Sequence, residues 1–183
     1  MKTTKINLAA FAKLMCLVAL AFTTTARASD AETSASATSG RGRPGTATAA
    51  ARYEGDIGFA RTDTRTGAVN VARGVAVGVD EDGVSLSVSL AIAPQRGPAY
   101  ATNFNLSFDT DGGSAASFGT ALAGGGTRRT VSVGGIASAR PCGASATAMA
   151  GGVAHNGGVV RTFTHSGRSE HREVVVRRII RVR

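Results

Sequence analysis

The stretch that decides the fold runs from residue 69 to residue 92 and reads V-N-V-A-R-G-V-A-V-G-V-D-E-D-G-V-S-L-S-V-S-L-A-I. Large aliphatic side chains alternate with small or polar ones on both sides of the D-E-D-G sequence. Strict alternation with many β-branched residues is typical of half-buried strands, and Asp followed by Gly favours a turn. The stretch therefore predicts an antiparallel hairpin whose Val and Leu face is directed into the core.

The positions of the large residues also limit the register of this hairpin. They are odd-numbered before the turn and even-numbered after it, so only a loop with an even number of residues puts them on one face. A two-residue turn at Asp82-Gly83 would pair Val79 with Leu86. A four-residue loop over 80–83 would pair Val79 with Val84, and the sequence allows both.

The first 28 residues have the three parts of a secretory signal peptide. Lysines occupy positions 2, 5 and 13, a nine-residue apolar run covers 14–22, and Ala26-Arg27-Ala28 provides an A-x-A cleavage site. Nine apolar residues are too few to span a bilayer, which takes roughly 20. We therefore expect cleavage after Ala28 and a protein that is secreted, periplasmic or attached to the cell surface. Its Ala, Gly, Val and Arg usage is typical of a GC-rich bacterial coding sequence.

The remaining chain is expected to form one domain after a linker. Residues 29–52 hold Ala, Ser, Thr, Gly and Arg but no large aliphatic residue, which predicts a disordered segment that cannot bury enough apolar surface. Residues 53–183 show about eight or nine short alternating segments separated by turn signals and no amphipathic helix. This pattern predicts an all-β domain, an antiparallel sandwich or barrel, with a β-solenoid as the alternative.

Two turns and a few scattered residues are the candidates for metal binding or catalysis. The turns Asp80-Glu81-Asp82-Gly83 and Asp109-Thr110-Asp111-Gly112 resemble parts of calcium loops, but each lacks a downstream Glu, and we interpret both as plain turns. Cys142 and the three histidines (His155, His165 and His171) show no ligand spacing. We therefore predict no metal, no cofactor and no catalytic site, with Cys142 buried or used in an intermolecular bridge.

The C-terminal segment is the strongest functional lead in the sequence. Residues 29–160 carry ten arginines and ten acids, whereas 161–183 carry seven arginines and two acids. Arginine binds phosphate and carboxylate groups bidentately, so this segment could bind an anionic polymer such as lipopolysaccharide, acidic polysaccharide or extracellular DNA. The residues assigned to this site are Arg168, Arg172, Arg177, Arg178, Arg181 and Arg183. Charge that keeps an edge strand from pairing with other chains is the alternative explanation.

These features favour an exported, non-catalytic, β-rich protein of structural or adhesive type. The binding of an anionic surface polymer through the C-terminal arginines is the alternative function. Self-association through strand edges or through Cys142 is the other partner prediction.

Overall fold

The computed structural model describes residues 29–40, 43–141 and 143–169. The predicted signal peptide, Cys142 and the predicted C-terminal strand lie outside the described residues. No helix that is long and apolar enough to cross a membrane occurs in the described part of the chain. The strands are β1 (Ser29–Gly40), β2 (Arg43–Glu54), β3 (Ile57–Arg65), β4 (Val69–Asp80), β5 (Gly83–Pro94), β6 (Ala99–Asp109), β7 (Ser114–Gly124), β8 (Arg128–Arg140), β9 (Gly143–His155) and β10 (Val159–Ser169).

The strands form two antiparallel sheets that face each other. One sheet has four strands in the order β2-β1-β8-β9, and the other has six in the order β10-β7-β6-β5-β4-β3. The predicted antiparallel sandwich is therefore confirmed. Eight of the ten described strands, β3 to β10, lie in the region where eight or nine were expected, and the other two lie in the predicted linker. Most neighbours in the six-stranded sheet are consecutive in sequence, whereas β1 pairs with β8 across a long stretch of chain.

The predicted disordered linker over 29–52 is wrong, because these residues form the first two strands. Ala31, Ala35 and Ala37 of β1 are almost completely buried, and β1 lies between β2 and β8 in the four-stranded sheet. The prediction assumed that order requires large aliphatic residues. In this sandwich the gap between the sheets is filled mostly by Ala, Gly and Ser side chains, with a few larger ones such as Val131, so an Ala- and Ser-rich strand fits it.

The central hairpin has one of the two registers that the sequence allows. Val79 pairs with Val84 and Val77 with Leu86, as expected for the longer loop. The strands themselves extend to Asp80 and Gly83, so the turn consists of Glu81 and Asp82. The even loop length is thus confirmed, and the alternative turn at Asp82-Gly83 is wrong.

The predicted orientation of this hairpin is wrong, because its small-residue face is the one that is buried. Ala72, Ala76 and Ala91 have no exposed surface, whereas Val84 on the opposite face is 41% exposed. Every strand of the six-stranded sheet from β4 to β7 shares this arrangement, with Ala, Gly, Ser or Asn facing the other sheet. The strands β1 and β8 of the other sheet also present mostly small residues. The two small-residue faces can therefore approach closely and pack without voids.

Polar side chains in this narrow interior form hydrogen bonds that connect the two sheets directly. The Asn70 Nδ2 atom donates to the Thr38 carbonyl at 2.8 Å, and the Asn105 Nδ2 atom donates to the Thr147 carbonyl at 2.9 Å. The Ser29 hydroxyl donates to the Gly78 carbonyl at 3.1 Å. Buried polar groups need such partners, so the hydrogen bonds stabilise the close approach that the small residues permit.

Glycines mark the places where the two sheets are closest. A Cβ atom added at Gly78 would lie 2.6 Å from the Glu54 carbonyl oxygen and 2.7 Å from that of Asp30. An atom added at Gly74 would lie 2.9 Å from the Ala50 carbonyl oxygen. Since these atoms belong to the backbone of the four-stranded sheet, a side chain at either glycine would force the sheets apart.

Candidate functional site

The outer face of the six-stranded sheet carries most of the large apolar side chains of the described chain. Because facing partners in a β-ladder share a face, the registers place these residues in continuous cross-strand rows. We call this surface the outer apolar face. Its most exposed members are Ile57, Phe59, Val69, Val84, Tyr100, Phe104, Phe108, Phe118, Leu122 and Val159.

The middle of the outer apolar face is a nearly unbroken apolar surface. One row runs from Val75 through Val88 and Phe104 to Phe118. Phe104 is 43% exposed and Phe108 is 49% exposed, so their rings are largely uncovered. The next row towards the β4–β5 turn is also apolar and contains Phe59, Val77, Leu86 and Leu106, whereas the row on the other side places Asp63, Arg73 and Thr102 beside Leu90.

Aromatic side chains extend the surface to the edge strand β10. The rings of Phe118 and Phe163 lie 5.3 Å apart, and those of Phe118 and His165 lie 5.5 Å apart, both in tilted geometry. Such separations are within the range of favourable ring contacts. The sequence predicted that the large apolar face of the central hairpin is directed into the core, and the structure instead places that face beside these exposed rings.

A patch of this extent is unusual on an isolated protein. Single exposed apolar residues are normal, but a contiguous patch above a few hundred Å² marks a site of interaction. The footprint follows from the sheet geometry. Six strands at about 4.8 Å spacing and nine residues at about 3.4 Å rise cover roughly 900 Å² for the whole outer face, most of it apolar, with Arg61, Asp63 and Arg73 towards the β3 side.

Most charged residues of the six-stranded sheet lie at its two ends, whereas Arg61, Asp63 and Arg73 lie between the ends on the outer face. The end with the β4–β5 and β6–β7 turns carries carboxylates, and β3 begins at the same end next to Asp56. The acids at this end are Asp56, Asp80, Glu81, Asp82, Asp109 and Asp111. The opposite end carries Arg65, Arg96 and Arg161, all of them exposed. Between the ends, Arg73 and Asp63 form an ion pair on the outer face.

The two Asp-x-Asp-Gly sequences form turns that their own carboxylates stabilise. Asp80 Oδ1 accepts hydrogen bonds from the backbone N–H groups of Asp82 and Gly83, at 2.9 and 3.1 Å. Asp109 Oδ1 accepts one from the N–H of Gly113 at 2.5 Å. Side-chain bonds of this kind are ordinary in turns. Within the described ranges, no group of three or more His, Cys, Asp or Glu side chains could hold a metal ion.

The histidines are not brought together within the described part of the chain. His155 ends β9 in the four-stranded sheet, opposite Arg128. His165 lies in the other sheet, opposite Phe118, while His171 and Cys142 are outside the described residues. An Asn-Gly sequence between two extended segments favours a hairpin. Asn156 and Gly157 do form a turn with positive φ angles, but β9 and β10 belong to different sheets and therefore do not pair as a hairpin.

An open cavity of about 650 Å³ lies between the edge strands β9 and β10. Its lining is built from Ala, Gly, Val, Thr and Met side chains, with Met149 at its outer side and Thr162 and Thr164 on β10. None of the lining residues ionises near neutral pH. The cavity therefore offers space and hydroxyl groups but no acid or base for proton transfer.

Of the six arginines assigned to anionic-polymer binding, the structure describes Arg168. It is exposed near the end of β10, and its guanidinium group lies against the backbone of Gly143. The remaining five arginines lie outside the described residues, so the polymer-binding site stays a prediction. Sequence reasoning missed the outer apolar face because it directed large residues inward. The small-residue face shared by β4 to β7 was the signal that could have revealed it.

The fold and this surface define an all-β sandwich with a small-residue interior and an apolar sheet face that the described residues leave exposed. Comparisons with protein-family models, with curated proteins and with solved structures found no match to the chain. Its function must therefore be inferred from the surface itself.

Proposed function

We propose that the protein is an exported, non-catalytic structural or adhesive protein that attaches to apolar surfaces through its outer apolar face. The observation that carries the proposal is the row of aromatic and aliphatic side chains that crosses the four strands β4 to β7 on the outer face. Burying such a surface gives about 25 cal/mol per Å² of apolar area, so even partial coverage yields measurable binding. Export follows from the signal-peptide pattern of the first 28 residues.

The arrangement of the sheet supports adhesion more than chemistry. The exposed rings are fixed on a hydrogen-bonded sheet rather than on loops, so little side-chain or backbone freedom is lost when a surface covers them. Phe104 and Phe108 stand on the same strand two rows apart, with Leu106 between them. A flat partner can touch all three together.

Adsorption of the full chain to a phenyl-substituted resin tests this function. The variant Phe104→Ser/Phe108→Ser removes two exposed rings from the outer apolar face. The control Met149→Ser/Val153→Ser removes two exposed apolar side chains, 66% and 49% exposed, from the four-stranded sheet. We expect the first variant to elute much earlier than the wild type and the control to elute close to it.

Circular dichroism of each variant should confirm that the sheets remain folded. Wild-type protein that passes through the phenyl resin without retention would contradict the proposal. Equal loss of retention in the two double variants would also contradict it, because the outer apolar face would then have no special role.

A further inference from the structure

We infer that the outer apolar face binds a second copy of this chain, with the two copies related by a two-fold axis that runs across the strands. The inference rests on the proposed function, because it names the partner of the same surface. The resulting dimer has four layers of sheet, with the two six-stranded sheets packed against each other in the middle.

The size of the surface fits a stable dimer. The whole outer face has a planar footprint of roughly 900 Å², which is large enough to contain a standard interface of about 800 Å² per partner. Sheets commonly pack face to face at about 30° with interdigitating side chains, and the cross-strand rows of Val, Leu and Phe provide such side chains on both copies.

Symmetry limits how the two copies can be arranged. In a two-fold dimer the same patch is used on both copies. If the axis ran parallel to the strands, the acidic end of one copy would lie over the acidic end of the other. If it runs across the strands, each acidic end lies over the partner's basic end. Only the second arrangement brings opposite charges together.

The loop between β5 and β6 makes this arrangement specific. When the axis runs across the strands, each strand lies opposite the same strand of the partner, and the acidic end of one sheet lies over the basic end of the other. Arg96, in the β5–β6 loop, then lies opposite the space between the partner's β4–β5 and β6–β7 turns. Those turns carry Glu81 and Asp111, which are both exposed. Electrostatic complementarity at the rim therefore selects the orientation, while the apolar middle supplies the affinity.

Sedimentation velocity of the full chain over a range of concentrations measures the dimerisation constant. We expect Leu86→Thr/Phe104→Thr to weaken dimerisation by at least about tenfold, because central apolar residues dominate interfaces. The control Met149→Thr/Val153→Thr, on the other sheet, should leave it unchanged. A dimer that is equally affected by both variants would overturn the inference.

Charge reversal tests the orientation. Each rim contact occurs twice by symmetry, so Arg96→Glu should weaken the dimer by about fivefold at low salt, and Arg96→Glu/Asp111→Arg should restore most of the loss. If the double variant dimerises as weakly as Arg96→Glu alone, the end-for-end arrangement is overturned.

The two proposals fail in different ways. A chain that stays monomeric at all concentrations but still adsorbs to phenyl resin through Phe104 and Phe108 would overturn the dimer and leave the adhesive function standing. A monomer that also shows no adsorption would overturn both.

Discussion

The close approach of the sheets at Gly78 predicts that a single methyl group there is strongly destabilising. In Gly78→Ala the new Cβ atom would lie 2.6 and 2.7 Å from two backbone carbonyl oxygens, where ordinary contact begins at 3.4 Å. The four-stranded sheet must therefore move back by roughly 0.7 Å. Overpacking of this kind costs about 1–3 kcal/mol.

The movement also weakens hydrogen bonds that cross the interior at this point. The Ser29 hydroxyl lies within hydrogen-bond distance of the Gly78 carbonyl, at 3.1 Å, and of the Ser85 hydroxyl, at 2.9 Å, and its one proton serves either partner. A buried hydrogen bond that is lengthened loses part of its contribution of about 0.5–1.5 kcal/mol. Together the two effects predict that Gly78→Ala lowers the free energy of unfolding by about 2–4 kcal/mol.

Urea unfolding of the full chain measures this change, with two further glycine variants for comparison. Gly74→Ala should be less severe, because its nearest backbone contact is 2.9 Å. Gly167→Ala is the matched control in β10, where an added Cβ atom meets nothing within 4 Å. It should be neutral or stabilise the protein by up to about 1 kcal/mol. Similar midpoints for Gly78→Ala and Gly167→Ala would refute the close packing of the sheets.

Three other predictions follow from particular contacts. Asn105→Ala should lower the free energy of unfolding by about 2–4 kcal/mol, because it removes the hydrogen bonds that the Asn105 side-chain amide donates to the Thr147 carbonyl and the Ser117 hydroxyl. Urea unfolding measures this change, with Thr102→Ala on the outer face as the control. Asp80→Ala should cost about 1 kcal/mol through two lost turn hydrogen bonds, and added calcium should leave the wild-type melting temperature unchanged. Deleting residues 168–183 should lower the salt concentration needed for elution from heparin if the C-terminal arginines bind anionic polymers; unchanged elution would reject that function.

The strands and the pairing of the central hairpin were predictable from local pattern. Alternation of large and small residues identified β4 and β5, and its parity limited the hairpin to an even loop, as the pairing of Val79 with Val84 confirms. These features depend only on neighbours along the chain and on the two-residue period of a strand. The alternating pattern therefore predicts the hairpin strands and their even loop without knowledge of the tertiary structure.

The choice of buried face could not be predicted in the same way. A strand with Val on one side and Ala on the other buries whichever side its facing sheet can match. Here the facing strands β1 and β8 present residues such as Ala31 and Gly135. The usual preference for large residues inside is a tendency of single positions. It does not account for a partner sheet that leaves room only for small side chains.

The assignment of large residues to the core also explains why neither the first two strands nor the candidate site was predicted. Once large residues were assigned to the core, an Ala- and Ser-rich segment had no place in the fold, and the phenylalanines had no place on the surface. Ala35 and Phe104 illustrate the outcome, because the first is buried and the second is 43% exposed.

An engineered disulfide between the sheets tests most directly whether the small-residue faces form the interior. The hydroxyl oxygens of Thr33 and Ser87 lie 2.8 Å apart across the two sheets. In a chain with Cys16 and Cys142 replaced by serine, Thr33→Cys/Ser87→Cys should therefore oxidise to an intramolecular disulfide, detected by mass spectrometry of peptides before and after reduction. The control Thr33→Cys/Val88→Cys should stay reduced, since the Val88 side chain is directed away from the facing sheet. A disulfide in the control pair and free thiols in the first pair would show that the hairpin buries its large residues instead.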